Sequence, residues 1–121
     1  MNNKIFKYTI PSTIILIIAL LVSCSFSSGI KVTIKNVSSN IIKGVVVHVT
    51  GNSYSIGDIP AGTLKTIKVV SKGESHIELE QKGVQKRLIV DCYFEKGYRG
   101  EILIEITPDR VVDVKNNISI Y

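Results

Sequence analysis

Two histidines, two cysteines and three aromatics beside an arginine are the side chains whose types and spacing could do chemistry in this chain. His76 and Glu78 stand two residues apart, so an extended backbone projects both from one face, with Glu80 next in the row. Such a face offers two or three metal ligands; it equally serves as a charged, solvated surface that discourages edge pairing. Tetrahedral zinc asks for more His or Cys than this row supplies, which leaves His76 and Glu78 as weak metal candidates. His48 lies far from both in sequence and in no motif. The chain has no G-x-S-x-G, no H-E-x-x-H, no glycine-rich phosphate loop and no C-x-x-C, so the sequence nominates no catalytic residue and no cofactor. An enzyme would need a depression holding His48 or His76 with a carboxylate.

The most binding-like segment is Tyr93-Phe94-Glu95-Lys96-Gly97-Tyr98-Arg99-Gly100. Tyrosine and arginine join a large contact area to a polar terminus, the pairing that dominates interface hot spots. Tyr93, Tyr98 and Arg99 are therefore the candidate binding residues, in a chain with few other aromatics and no tryptophan. A structural role competes on equal terms. Phe94 can close a core, and one tyrosine can clamp a sandwich corner by bonding its hydroxyl to backbone. Tyr54, near another turn, joins the same patch only if the topology brings it there.

Ahead of the patterned region, Lys4 and Lys7 precede an apolar stretch over residues 14–22, the basic-then-apolar order of a secretory signal. That stretch is too short to span a bilayer as a stable helix. It ends in Leu21-Val22-Ser23-Cys24, which closely resembles the bacterial lipoprotein consensus: Leu, a small aliphatic, Ser and an obligatory Cys. The resemblance implies a diacylglyceryl group on the Cys24 thiol, cleavage between Ser23 and Cys24, and a membrane as the first partner. Ser25 follows where many enterobacterial lipoproteins retained at the inner membrane carry Asp. For a Gram-negative source the resemblance therefore favours the periplasmic face of the outer membrane. The organisation expected is a signal peptide over residues 1–23, a lipidated cysteine and short tether over 24–29, and one domain over 30–121.

Removing the signal leaves about 98 residues, enough for one domain with a modest core. The whole chain carries 15 basic and 10 acidic residues; without Lys4 and Lys7 the excess is mild, and no basic cluster argues for nucleic acid. With Cys24 lipidated, Cys92 has no partner for an intramolecular disulfide. Alternation through Leu88-Ile89-Val90-Asp91-Cys92 puts it on the face of Leu88 and Val90, so the expectation is a buried, unpaired thiol packed as a small hydrophobe.

The elements that must position these residues all read as strands, because period-two alternation recurs throughout and no sustained 3.6-residue period appears. Strands are expected over residues 30–35, 41–50, 54–56 as a short edge, 63–70, 75–81, 84–94, 101–106 and 111–115, with the tail either added to an edge or loose. Turn formers separate them: residues 36–40, 51–53, 57–62 with a type I turn over 59–62, 71–74, Lys82-Gly83, 95–100 and 107–110. Seven or eight such strands give an all-β, two-sheet antiparallel sandwich; a small closed barrel is the alternative. Ile34-Lys35-Asn36-Val37-Ser38-Ser39-Asn40, the valine strand after it and Ile56-Gly57-Asp58-Ile59-Pro60-Ala61-Gly62 resemble bacterial immunoglobulin-like envelope and adhesion domains over about half of the domain. That resemblance implies an immunoglobulin-like sandwich and carries no functional residues. The function expected is a noncatalytic interaction or structural role at a membrane surface, with an envelope protein, a glycan or another copy as partner. The alternatives are an inhibitor or exclusion factor acting on an envelope enzyme or receptor, and an enzyme or metal-binding protein.

Overall fold

Alternating β-branched and polar residues produce eight strands in the computed structural model, which describes residues 29–120. They are β1 (Gly29–Asn36), β2 (Ile42–Val49), β3 (Asn52–Ile59), β4 (Leu64–Val69), β5 (Ser75–Gln81), β6 (Val84–Phe94), β7 (Arg99–Ile106) and β8 (Val111–Ser119). The signal segment and the Cys24 attachment lie outside the described residues.

The strands form two separate four-stranded sheets, ordered β4-β1-β7-β8 and β3-β2-β5-β6. This is a two-sheet sandwich. Its two layers share one core: Ile30, Val32 and Ile34 from β1 and Ile102, Ile104 and Ile106 from β7 meet Val45, Val47, Ile77 and Leu79 from the other sheet, all essentially without solvent exposure. Each such burial contributes about 1.5–3 kcal/mol, set against the entropy of ordering the chain. All pairings but one are antiparallel. β1 and β7 run parallel from Gly29↔Arg99 to Asn36↔Ile106, and the chain between them builds β4 and the whole second sheet. The β2–β5 pairing is also found in immunoglobulin domains, whose first, second, fifth and fourth strands share a sheet; here β1 and β4 lie in the opposite layer, so the connectivity differs from that order.

Several boundaries differ from the sequence expectation. β3 runs the full span Asn52–Ile59, because a register shift between Val45 and Val46 absorbs the Gly57 kink that reads as a turn. The turn into β4 lies one residue later than expected: Thr63 N donates to the Pro60 carbonyl at 3.1 Å, and Gly62 at φ +71° takes the third position, which fits a type II turn over residues 60–63 in place of type I over 59–62. The tail residues 116–119 extend β8 along β7.

Asn36 closes the end of the sandwich where the chain turns into β4. Fully buried, its amide uses all its capacity: Nδ2 donates to the carbonyls of Asn40 at 2.7 Å and Ile59 at 2.9 Å, and Oδ1 accepts from Ser38 N at 2.9 Å and Ser38 Oγ at 2.6 Å. Its backbone N–H reaches Thr63 O and its carbonyl accepts from Gly62 N. One side chain thereby fixes two loops, which is how a buried polar group becomes tolerable.

Candidate functional site

β2, β5 and β6 place their outward side chains on one open sheet face, and register decides which meet. His48 stands opposite Ser53 on β3 and opposite Glu78 on β5. Its Nδ1 lies 2.7 Å from Ser53 Oγ and its Nε2 3.0 Å from Glu80 Oε1. A carboxylate only accepts, so Nε2 donates to Glu80; in the tautomer protonated at Nε2 alone, Nδ1 is left to accept from the serine hydroxyl. Arg87 on β6 bridges the row, with guanidinium nitrogens 3.4 Å from Glu78 and 3.6 Å from Glu80. His76 Nε2 contacts Glu78 Oε2 at 2.8 Å. The result is a continuous polar chain, Ser53–His48–Glu80–Arg87–Glu78–His76, across four strands. The hydrogen bond from His76, joined by Arg87 and opposed by partial desolvation, holds the Glu78 carboxyl below its ordinary value.

A shallow depression of about 160 Å³ lies on this face, lined by His48, Val49, Thr50, Ser75, His76, Glu78 and Arg87. Both histidines and a carboxylate therefore do share a concavity, which sequence separation hid. Hydroxyl, imidazole and carboxylate in series is the order that activates an acyl-transfer serine. Ser53, however, is not among the lining residues, so the relay and the depression do not coincide, whereas a nucleophile must face the site where substrate sits. Ser75, which does line it, has its hydroxyl engaged: it accepts from Thr50 N at 2.9 Å and donates to the His76 carbonyl at 2.7 Å. Among the described residues no three His, Cys, Asp or Glu side chains are placed to hold a metal ion, and the weak metal candidates His76 and Glu78 turn their facing atoms on each other.

The aromatic loop is divided by the fold. Tyr93 projects outward from β6, 52% exposed, and Tyr98 meets it edge-on with ring centroids 6.5 Å apart at 79°. The Tyr93 hydroxyl donates to Glu95, and that bond, first among several carboxylate effects, pushes its pKa up. Tyr98 is half-buried against the core beside buried Phe94. Arg99 and Gly100, expected in the loop, instead open β7. Strand alternation then turns Arg99 to the outer face of the first sheet, in a depression with Lys31, Thr66, Lys68 and Glu101. Tyr93 and Tyr98 form a pair; Arg99 does not join it.

The corner clamp is Tyr54. Its hydroxyl accepts from Val70 N at 3.0 Å and donates to Val70 O at 3.3 Å, tying β3 to the end of β4 across the sandwich. No sequence signal separates this tyrosine from Tyr93 or Tyr98, because the bond joins residues 16 apart. Cys92 has the expected parity, with Leu88, Val90 and Phe94, and is a free thiol. It is half-buried instead of buried, since β6 is an edge strand and its ladder to β5 slips between Ser75 and Ile77. Desolvation raises its thiol pKa.

Compared with known proteins, the chain matches no family model, no curated protein and no solved structure. What the structure defines is a class, the two-sheet β-sandwich domain.

Proposed function

We propose that the chain is a lipid-anchored cell-envelope protein whose sandwich has a noncatalytic interaction or structural role at the membrane surface. The Leu21-Val22-Ser23-Cys24 motif behind a basic and apolar leader supports this reading. The observation that carries it is the position of β1: the strand starts at Gly29, five residues after Cys24. Nearly the whole remaining chain is then one sandwich whose first strand begins within roughly 17 Å of the lipidated cysteine. A diacylglyceryl anchor with a further acyl chain makes attachment persistent, where a single chain gives only marginal binding. In a Gram-negative host the outer membrane is the favoured site, and an envelope protein or glycan the partner class. Expression with an alkyne fatty acid tests the anchor. The wild type is expected to take the label and pellet with membranes, and Cys24→Ala to do neither; continued labelling of Cys24→Ala refutes the proposal.

The Ser53–His48–Glu80 relay, although it stands apart from the depression, is the one observation behind a second reading, acyl-transfer hydrolysis. Covalent capture of a fluorophosphonate at Ser53, lost in Ser53→Ala, would establish it, and an unlabelled Ser53 removes it.

A further inference from the structure

Strand polarity brings the tethered terminus and the aromatic loop to one end of the sandwich. Gly29 lies beside Arg99, which pairs across to Ser119, while Ile30 pairs with Val69 and Lys72 N donates to the Thr50 carbonyl. Gly29 also lines a cleft with residues 94–98. This end exposes Lys72, Lys96 and Arg99, together with Tyr93 and Ile120. The opposite end is basic as well and exposes Val37, Ile41 and Leu64, but an eight-residue strand is about 27 Å long. Only the end holding Gly29 lies next to the tether, whose full reach from Cys24 is roughly 17 Å.

We infer that this end docks on an anionic bilayer surface, with Lys72, Lys96 and Arg99 reaching lipid phosphates and Tyr93 lying at headgroup level. The inference rests on the lipid-anchored reading and adds an orientation to it. Exposed Lys or Arg near an anionic leaflet each contribute about 1 kcal/mol, within a Debye length of about 8 Å at physiological salt. An extended tether would leave them screened, so docking requires the tether to be slack. Tyrosine suits the interface because its ring is apolar and its tip polar. Glu74 and Glu95 flank the Tyr93 hydroxyl and partly offset the cations, so binding depends on lipid charge and salt and is not a fixed embedding.

The test uses the full lipidated chain in phosphatidylcholine vesicles with and without phosphatidylglycerol. Flotation reports anchoring, and acetylation by a membrane-impermeant amine reagent, read by mass spectrometry, reports the surface. On anionic vesicles Lys72 and Lys96 are expected to react several-fold more slowly than on neutral ones, with Lys43 and Lys82 at the far end unchanged. The protection should disappear in 0.5 M salt, which screens to a few ångströms, and Lys96 should lose it in the Lys72→Glu, Arg99→Glu variant while that variant still floats. A floating wild type whose Lys72 and Lys96 react alike on both vesicles overturns the docking and leaves the anchor standing. A wild type that does not float defeats the anchored reading and the docking with it.

Discussion

At the scale of single residues, the outer-face network and the Tyr54 clamp differ in what they contribute. The pairs around Arg87 are largely exposed, and exposed ion pairs add little to stability. Their pH signature is still readable. Glu78 has a depressed folded pKa, so its contribution is present above the ordinary carboxylate value near 4.5 and is lost as pH falls through the depressed one. Chemical denaturation as a function of pH is expected to show the wild type losing stability below about 4.5 more steeply than Glu78→Gln. Tyr54 instead ties two backbone groups. Tyr54→Phe should cost about 1 kcal/mol or somewhat more, lowering Tm by about 4–8 °C for a domain of this size. Tyr98→Phe should leave Tm unchanged, because among the described residues the Tyr98 hydroxyl has no hydrogen bond and only its ring is engaged.

At the scale of elements, the β7–β8 seam depends on Gly100. This residue has φ +130°, and a Cβ there would press on the Asn117 carbonyl oxygen and lie 2.8 Å from Ile118 Cα, both backbone atoms that cannot yield without moving β8. Gly100→Ala combines that overlap with a conformation costly for an L-residue, so a loss of roughly 2 kcal/mol or more is expected, read as a Tm drop on the order of 10 °C. A Tm within 2 °C of wild type, well inside that expected drop, would mean the seam can re-form around the methyl. The same glycine explains why the loop stops at Tyr98: it lets β7 start close against β8, and Arg99 is carried into the strand with it.

At the scale of the whole molecule, the sandwich is closed by β6 lying over β8 and β3 over β4. Cys92 reports on one of those edges. Its desolvated thiol is protonated well above neutral pH, and thiolate is the reactive form. Alkylation at pH 8 is expected to be slow in the native protein and fast once denaturant opens the sandwich, with the transition tracking loss of sheet signal by circular dichroism. Fast labelling of the folded chain would show that the β6 edge opens on its own, ahead of global unfolding.

Period-two alternation by itself determined the all-β class, the spans of β5 and β6, and the inward parity of Val45, Val47, Val49, Ile77, Leu79 and Cys92, and it bounded the strand count at seven or eight. It could do so because side-chain direction in a strand depends only on residue parity. The type of each turn, the length of β3 and the point where the aromatic loop ends needed the backbone, since a bulge or a one-residue slip is decided by the partner strand. Tertiary structure alone decided that β1 and β7 run parallel, that Tyr54 is the clamp, that Tyr98 and Arg99 part company, and that His48 meets a glutamate 32 residues away. Those facts are pairings between distant segments, selected by the burial of both sheets at once, and no local pattern records which strand will lie beside which.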